Sequence, residues 1–175
     1  MKELVGQTLL EVLDDLEFSD YPDFKGYKEF YSDKTLPVFP LMEIARVLDV
    51  SIIQFDGNPL FRGLYNQKKI FLSLPDEYIF LHELSHAVHE HLIGDLGKVP
   101  EPISESVAYL CSECLCRIVL KTKYYTKHNL ERISHYANEI EEKNDEVIET
   151  VFEILNFMLW QPPEQLKLFC EVGRQ

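Results

Sequence analysis

No apolar run in this 175-residue sequence is long enough to cross a bilayer, and Met1-Lys2-Glu3 does not lead into a signal-peptide core. These absences exclude a helical membrane span and set the expectation of a cytoplasmic protein. Positive charge is scarce, with 17 Lys and Arg against 30 Asp and Glu and a formal net charge of −13. So acidic a surface repels phosphate, which disfavours general nucleic-acid binding and adsorption to anionic membranes. Cysteine is sparse as well: Cys111, Cys114, Cys116 and Cys170. A reducing compartment makes disulfides improbable. Cys111-x-x-Cys114 has a zinc-binding spacing, but no second Cys or His pair lies at a suitable distance. The segment reads as helix interior, so these cysteines are expected to be small core residues. There is no internal repeat, no low-complexity tract and no obvious domain boundary. Apolar residues make up 46% of the chain, which at this length suits one domain with a real core.

Against that background stands His82-Glu83-Leu84-Ser85-His86. On a helix, positions i and i+4 share a face, so both imidazoles can reach one metal ion. Glu83 projects about 100° away from His82, where it can flank a metal without ligating it. That is the place for a general base acting on a metal-activated water. No Pro or Gly interrupts Glu77 to His91, and an amphipathic helix is expected there.

The periodicity along the chain predicts a helix over 4–16, then turns through the acidic, aromatic 17–31 stretch. A short helix is expected over 41–48 and a strand over 50–55, followed by a turn at Asp56-Gly57-Asn58-Pro59. Gly63 to Tyr65 and Lys69 to Leu74 read as two more strands, joined as a hairpin through Asn66-Gln67. Pro75-Asp76-Glu77 opens the histidine helix, and Gly94 and Gly97 close it. Helices are then predicted from Ile103 to about Leu120, over 130–141 and over 146–160, with Pro162-Pro163 stopping the last. The fold class is therefore α+β: a small sheet, the histidine helix, a further helix after it, and a mostly helical C-terminal half. The whole of 1–175 reads as a single domain, with 1–60 a helical and loop region and 60–160 the core.

Two histidines do not complete a catalytic zinc site; a third protein ligand is required, with one position left for water. A continuation to HExxHxxGxxH fails, because His89 and Leu92 occupy the glycine and third-histidine positions. Glu105 supplies the alternative, with eighteen residues between it and His86. Glu101 competes one turn earlier, but it lies between two prolines and is expected outside the helix proper. Tyr109 lies four residues after Glu105 and on its face, where it reads either as a partner of a ligand histidine or as a half-buried tyrosine. His89, Glu90 and His91 offer a second metal at most; a polar helix end facing solvent is the simpler reading.

The region from about Leu60 to Trp160 resembles the zincin peptidase domains of the ImmA/IrrE and ArdC-like families. Gly63-Leu-Tyr, Ile70-Phe-Leu, Leu81-His-Glu-Leu-Ser-His-Ala and Glu105-Ser-Val-Ala-Tyr-Leu-Cys carry the likeness. The gap to Glu105 matches the gluzincin pattern HExxH-x18-E. The resemblance implies a zincin fold and a Zn2+-dependent metallopeptidase with His82, His86 and Glu105 as ligands and Glu83 as catalytic base. Its substrate would be a protein or peptide, in the family's manner a regulatory protein. The single-strand DNA-binding region of ArdC-like proteins has no counterpart in the acidic first sixty residues. His135, Tyr136, Tyr124 and Tyr125 are the candidates for a group that stabilises the oxyanion. An alternative is a non-catalytic, DNA-mimicking interaction protein. It draws on the carboxylates at Glu11, Asp14, Asp15, Glu17, Asp20 and Asp23, and on Glu139, Glu141, Glu142, Asp145, Glu146 and Glu149. Solvated helix faces account for those runs more simply.

Overall fold

A computed structural model describes residues 38–54 and 62–160. The expected helix over 4–16, the carboxylates from Glu11 to Asp23, the turn at 56–59, Pro162-Pro163 and Cys170 lie outside the described residues. The architecture is α+β, a three-stranded sheet against a mostly helical body.

A short helix, α1 (Met42–Val47), leads into strand β1 (Ser51–Gln54). Strands β2 (Gly63–Asn66) and β3 (Lys69–Leu72) follow. The sheet order is β1-β3-β2, with β1 parallel and β2 antiparallel to β3. Among the described residues β2 is therefore an edge. The β2–β3 turn sits one residue later than expected, on Gln67 and Lys68. Both have positive φ (47° and 59°), the twist that a two-residue hairpin needs. β3 stops at Leu72, short of the expected Leu74, and Leu74 is exposed.

Helix α2 (Glu77–Ile93) starts on Asp76, whose carboxylate accepts from the Tyr78 and Ile79 amides at 2.9 and 3.1 Å. It ends at Gly94, with φ of 87°. The helix is not amphipathic. Every residue from Tyr78 to His89 is buried, because the sheet, α3 and α5 pack around it and leave no solvent face. On the sheet side Phe80 stacks on Phe39, with ring centroids 4.6 Å apart.

Helix α3 spans Glu101–Ile118, two residues earlier at each end than the periodicity predicts. Pro102 falls in its first turn, where a missing N–H costs nothing, so Glu101 is the first helical residue rather than a loop residue. Helices α4 (Thr126–Ile140) and α5 (Asn144–Leu159) follow, joined by a 3-10 turn at Glu141–Lys143. α3 lies at the centre, packed on α2, α4 and α5. Cys111, Cys114 and Cys116 are buried free thiols in its core-facing surface, as the packing reading expects.

Candidate metal centre

α2 and α3 are packed side by side, and their contact brings three side chains to one point. His82 Nε2 lies 3.5 Å from Glu105 Oε2, and His86 Nε2 lies 3.2 Å from Glu105 Oε1. One ligand atom from each of the three falls within 4.8 Å of the others, a group that could hold a metal ion. The i,i+4 spacing stacks the two imidazoles edge to face, with centroids 5.0 Å apart. Burial on its own would raise the Glu105 pKa, but hydrogen bonds from both histidines outweigh it and hold the carboxyl well below the ordinary carboxylate range. Glu101, though helical, is solvent-exposed and lies outside the three-residue group, while still lining the same cleft.

Glu83 lines this cleft from α2 without joining the ligand group. Burial pushes its pKa up. The two histidines and a hydrogen bond from the Tyr65 backbone amide oppose that rise, and Glu105 adds to it. Gly63 explains how β2 comes this near. A Cβ on Gly63 would sit 2.4 Å from Ile79 Cγ2 and 2.7 Å from Glu83 Oε1, so any larger residue collides with the carboxylate. The cleft encloses about 670 Å³ between β2, α2, α3 and α4.

Tyr109 reaches the site as a ring rather than as a hydrogen-bond donor. Its centroid is 4.5 Å from that of His82 in a tilted contact, and burial pushes its phenol up to about 12. The Nδ1 atoms of His82 and His86 are buried and find no hydrogen-bond partner among the described residues. His89 does not face solvent as expected. It is 3% exposed, on the packed side of α2, with its Nδ1 also unpartnered, and burial lowers its pKa to about 4. Glu90 is half-buried and accepts from the Tyr65 hydroxyl; only His91 is exposed.

None of the four candidate oxyanion-stabilising residues is among those lining the cleft, though Tyr136 lies near enough for Glu105 and Glu101 to add to the rise in its pKa that burial begins. Tyr124 is exposed, Tyr125 stacks on Tyr78 at 4.2 Å, and His135 and Tyr136 lie farther along α4, edge to face with each other. The lining from α4 is instead His128 and Arg132, joined by Arg62 just ahead of β2. His128 and Arg132 are one helical turn apart, a spacing legible in the sequence; that this face of α4 turns toward α2 was not. Glu139, Glu141, Glu142, Asp145, Glu146 and Glu149 are exposed at the α4–α5 junction, as solvated faces should be. No described helix is long and apolar enough to cross a membrane. Searches of protein-family models, curated proteins and solved structures give no match to this chain.

Proposed function

We propose that this chain is a zinc-dependent metallopeptidase of the zincin type, with Glu83 as its general base. The observation that carries the reading is the convergence of His82, His86 and Glu105 in one cleft, with Glu83 beside them and outside the ligand set. The donor set fits zinc. Two imidazoles and one carboxylate are a common catalytic combination, and three protein ligands leave one position open. Both Nε2 atoms already face the Glu105 carboxylate. When bound, the metal would bring the pKa of a water to about 7 and polarise the scissile carbonyl.

The chain's own residues supply the rest. Glu83 has a carboxylate oxygen next to the backbone of Gly63, and the Tyr65 amide orients it. Its raised pKa suits a group that accepts the water's proton and returns it to the leaving amine. Among the described residues β2 is the sheet edge beside the site, so an extended peptide is the form expected to bind. Burial and the neighbouring Arg132 and Arg62 lower the His128 pKa, keeping its imidazole neutral and able to donate a hydrogen bond in the cleft. The resemblance to ImmA/IrrE-type domains supports a protein substrate, and among proteins a regulator.

Metal analysis of the purified protein, alongside cleavage of a denatured general protein substrate, tests this reading. Stoichiometric zinc is expected, lost in His82→Ala and Glu105→Ala. Glu83→Gln should retain the metal while turnover drops about 100- to 10,000-fold. Zinc-free wild-type protein after refolding in excess zinc would overturn the assignment.

A further inference from the structure

The cleft holds a charge pattern that the proposed chemistry does not use. In a chain of net charge −13, two arginines, Arg62 and Arg132, line the same cavity as the His82, His86 and Glu105 group. They approach from different elements, Arg62 from the residue before β2 and Arg132 from α4. Both are exposed, and neither is paired with a carboxylate among the described residues. Pairing is mixed among the other described cations. Lys98 pairs with Asp95, Arg117 with Glu113, Lys127 with Glu131 and Lys143 with Glu146, whereas Arg46, Lys69 and Lys121 have no carboxylate partner among the described residues. What sets Arg62 and Arg132 apart is their place: in a chain with carboxylates in such excess, both line the cleft that holds the His82, His86 and Glu105 group. Both also lie near enough to His128, in the same lining, to add to the lowering of its pKa that burial begins.

We propose that Arg62 and Arg132 form a carboxylate-binding subsite, so that the cleft selects peptides with a carboxylate at one fixed position from the cut bond. The proposal rests on the metallopeptidase reading, which defines that bond. The carboxylates already in the cleft do not cancel the subsite. Glu105 faces the two histidines, Glu83 is buried against Gly63, and a bound divalent cation would offset both. Glu101, exposed at the start of α3, also lines the cleft but forms an ion pair with neither arginine. Planar guanidinium groups suit carboxylate recognition, since each can donate two parallel hydrogen bonds. The protein's overall field works the other way, repelling acidic peptides and drawing in basic ones. Selection by the arginine pair is therefore a local contact effect, and its sign is opposite to that expected from net charge. The carboxylate has two possible sources, an Asp or Glu side chain or the peptide's own C-terminus.

Three N-acetylated pentapeptides separate them when titrated into zinc-loaded Glu83→Gln protein by calorimetry at low salt. They are Ala-Ala-Asp-Ala-Ala-amide, the same sequence with Asn, and the Asn peptide as a free acid. A side-chain subsite predicts that the Asp amide binds about tenfold more tightly than the Asn amide. A terminal subsite predicts that margin for the free acid. In Arg62→Gln/Arg132→Gln the preference should vanish, and in Arg132→Glu a Lys-containing amide should overtake the Asp one. Equal binding of all three, or a preference unchanged in the double variant, overturns the subsite. Binding selectivity is read without turnover, so its failure is distinct from failure of the peptidase reading. Selective binding with no cleavage by the wild type would sink catalysis alone; cleavage with no selectivity would sink the subsite alone.

Discussion

Gly63 shows how much of this site rests on single atoms. Its missing Cβ lets β2 lie against α2, and the nearest side-chain atoms are Ile79 Cγ2 and Glu83 Oε1. Gly63→Ala should therefore do two things at once. Overpacking should cost about 1–3 kcal/mol in chemical denaturation, and displacement of the Glu83 carboxylate should lower turnover with metal content unchanged. Leu74→Ala, at an exposed position outside the cleft, should do neither. His89 gives a residue-scale prediction of another kind. Its folded pKa, near 4, lies below the ordinary histidine value because burial penalises the charged ring. The unfolded chain thus binds the proton first as pH falls. The stability that neutral His89 contributes is complete above about pH 6.5 and drains away between 6.5 and 4. The loss should approach 3 kcal/mol, and His89→Leu should flatten that part of the stability–pH curve. A curve unchanged in His89→Leu would assign the acid sensitivity elsewhere.

At the scale of elements, a buried polar network fixes how α4 sits over the cleft. Glu113 of α3 accepts from Arg117 Nε at 2.7 Å, from the Thr126 hydroxyl and from Asn129 Nδ2 at 2.7 Å. Asn129 in turn accepts from the Tyr78 hydroxyl of α2 at 2.6 Å. Asn129 immediately follows His128 in the chain, so this network sets the rotation that turns His128 and Arg132 to the site. Glu113→Ala removes the carboxylate from a buried guanidinium and should cost about 3 kcal/mol or more, seen as a large fall in melting temperature. Glu113→Gln keeps an oxygen acceptor and should cost clearly less. If both variants behaved like wild type, the network would be ornamental and α4 held by apolar packing alone. Nothing in the local pattern of α4 announces this network. Asn129 is buried and Thr126 half-buried only because Glu113 and Tyr78 meet them from two other helices. For the same reason α4 begins four residues before its apolar periodicity does: its first turn is held by polar partners.

For the molecule as a whole, the proposed metal would clamp α2 to α3, the pair around which the other elements are arranged. Zinc that binds only the folded state should raise its stability by about 2.7 kcal/mol when free metal is a hundredfold above the dissociation constant. Chelator titration followed by thermal scanning should show that margin in wild type and in Glu83→Gln, and none in His82→Ala. A wild-type transition indifferent to chelator would mean that the helices hold the site without the ion.

The sequence alone determined what depends on local spacing. Two histidines at i and i+4 stack in any α-helix, Asp76 caps whatever helix follows it, and a run of β-branched and aromatic residues before the cap becomes strand. The gap from His86 to Glu105 could be counted, yet its meaning needed the tertiary structure. Only packing of α3 on α2 turned eighteen residues into contacts of 3.2 and 3.5 Å, and Glu101, a turn earlier on the same helix, was left outside the ligand group. Burial was decided at that level too. α2 reads as half polar, yet from Tyr78 to His89 it is buried by the sheet, α3 and α5, and this makes His89 a core residue. The lining of the cleft was likewise out of reach of any local rule. Arg62, His128 and Arg132 lie up to seventy residues apart and share a cavity only because the sheet edge and α4 converge on α2.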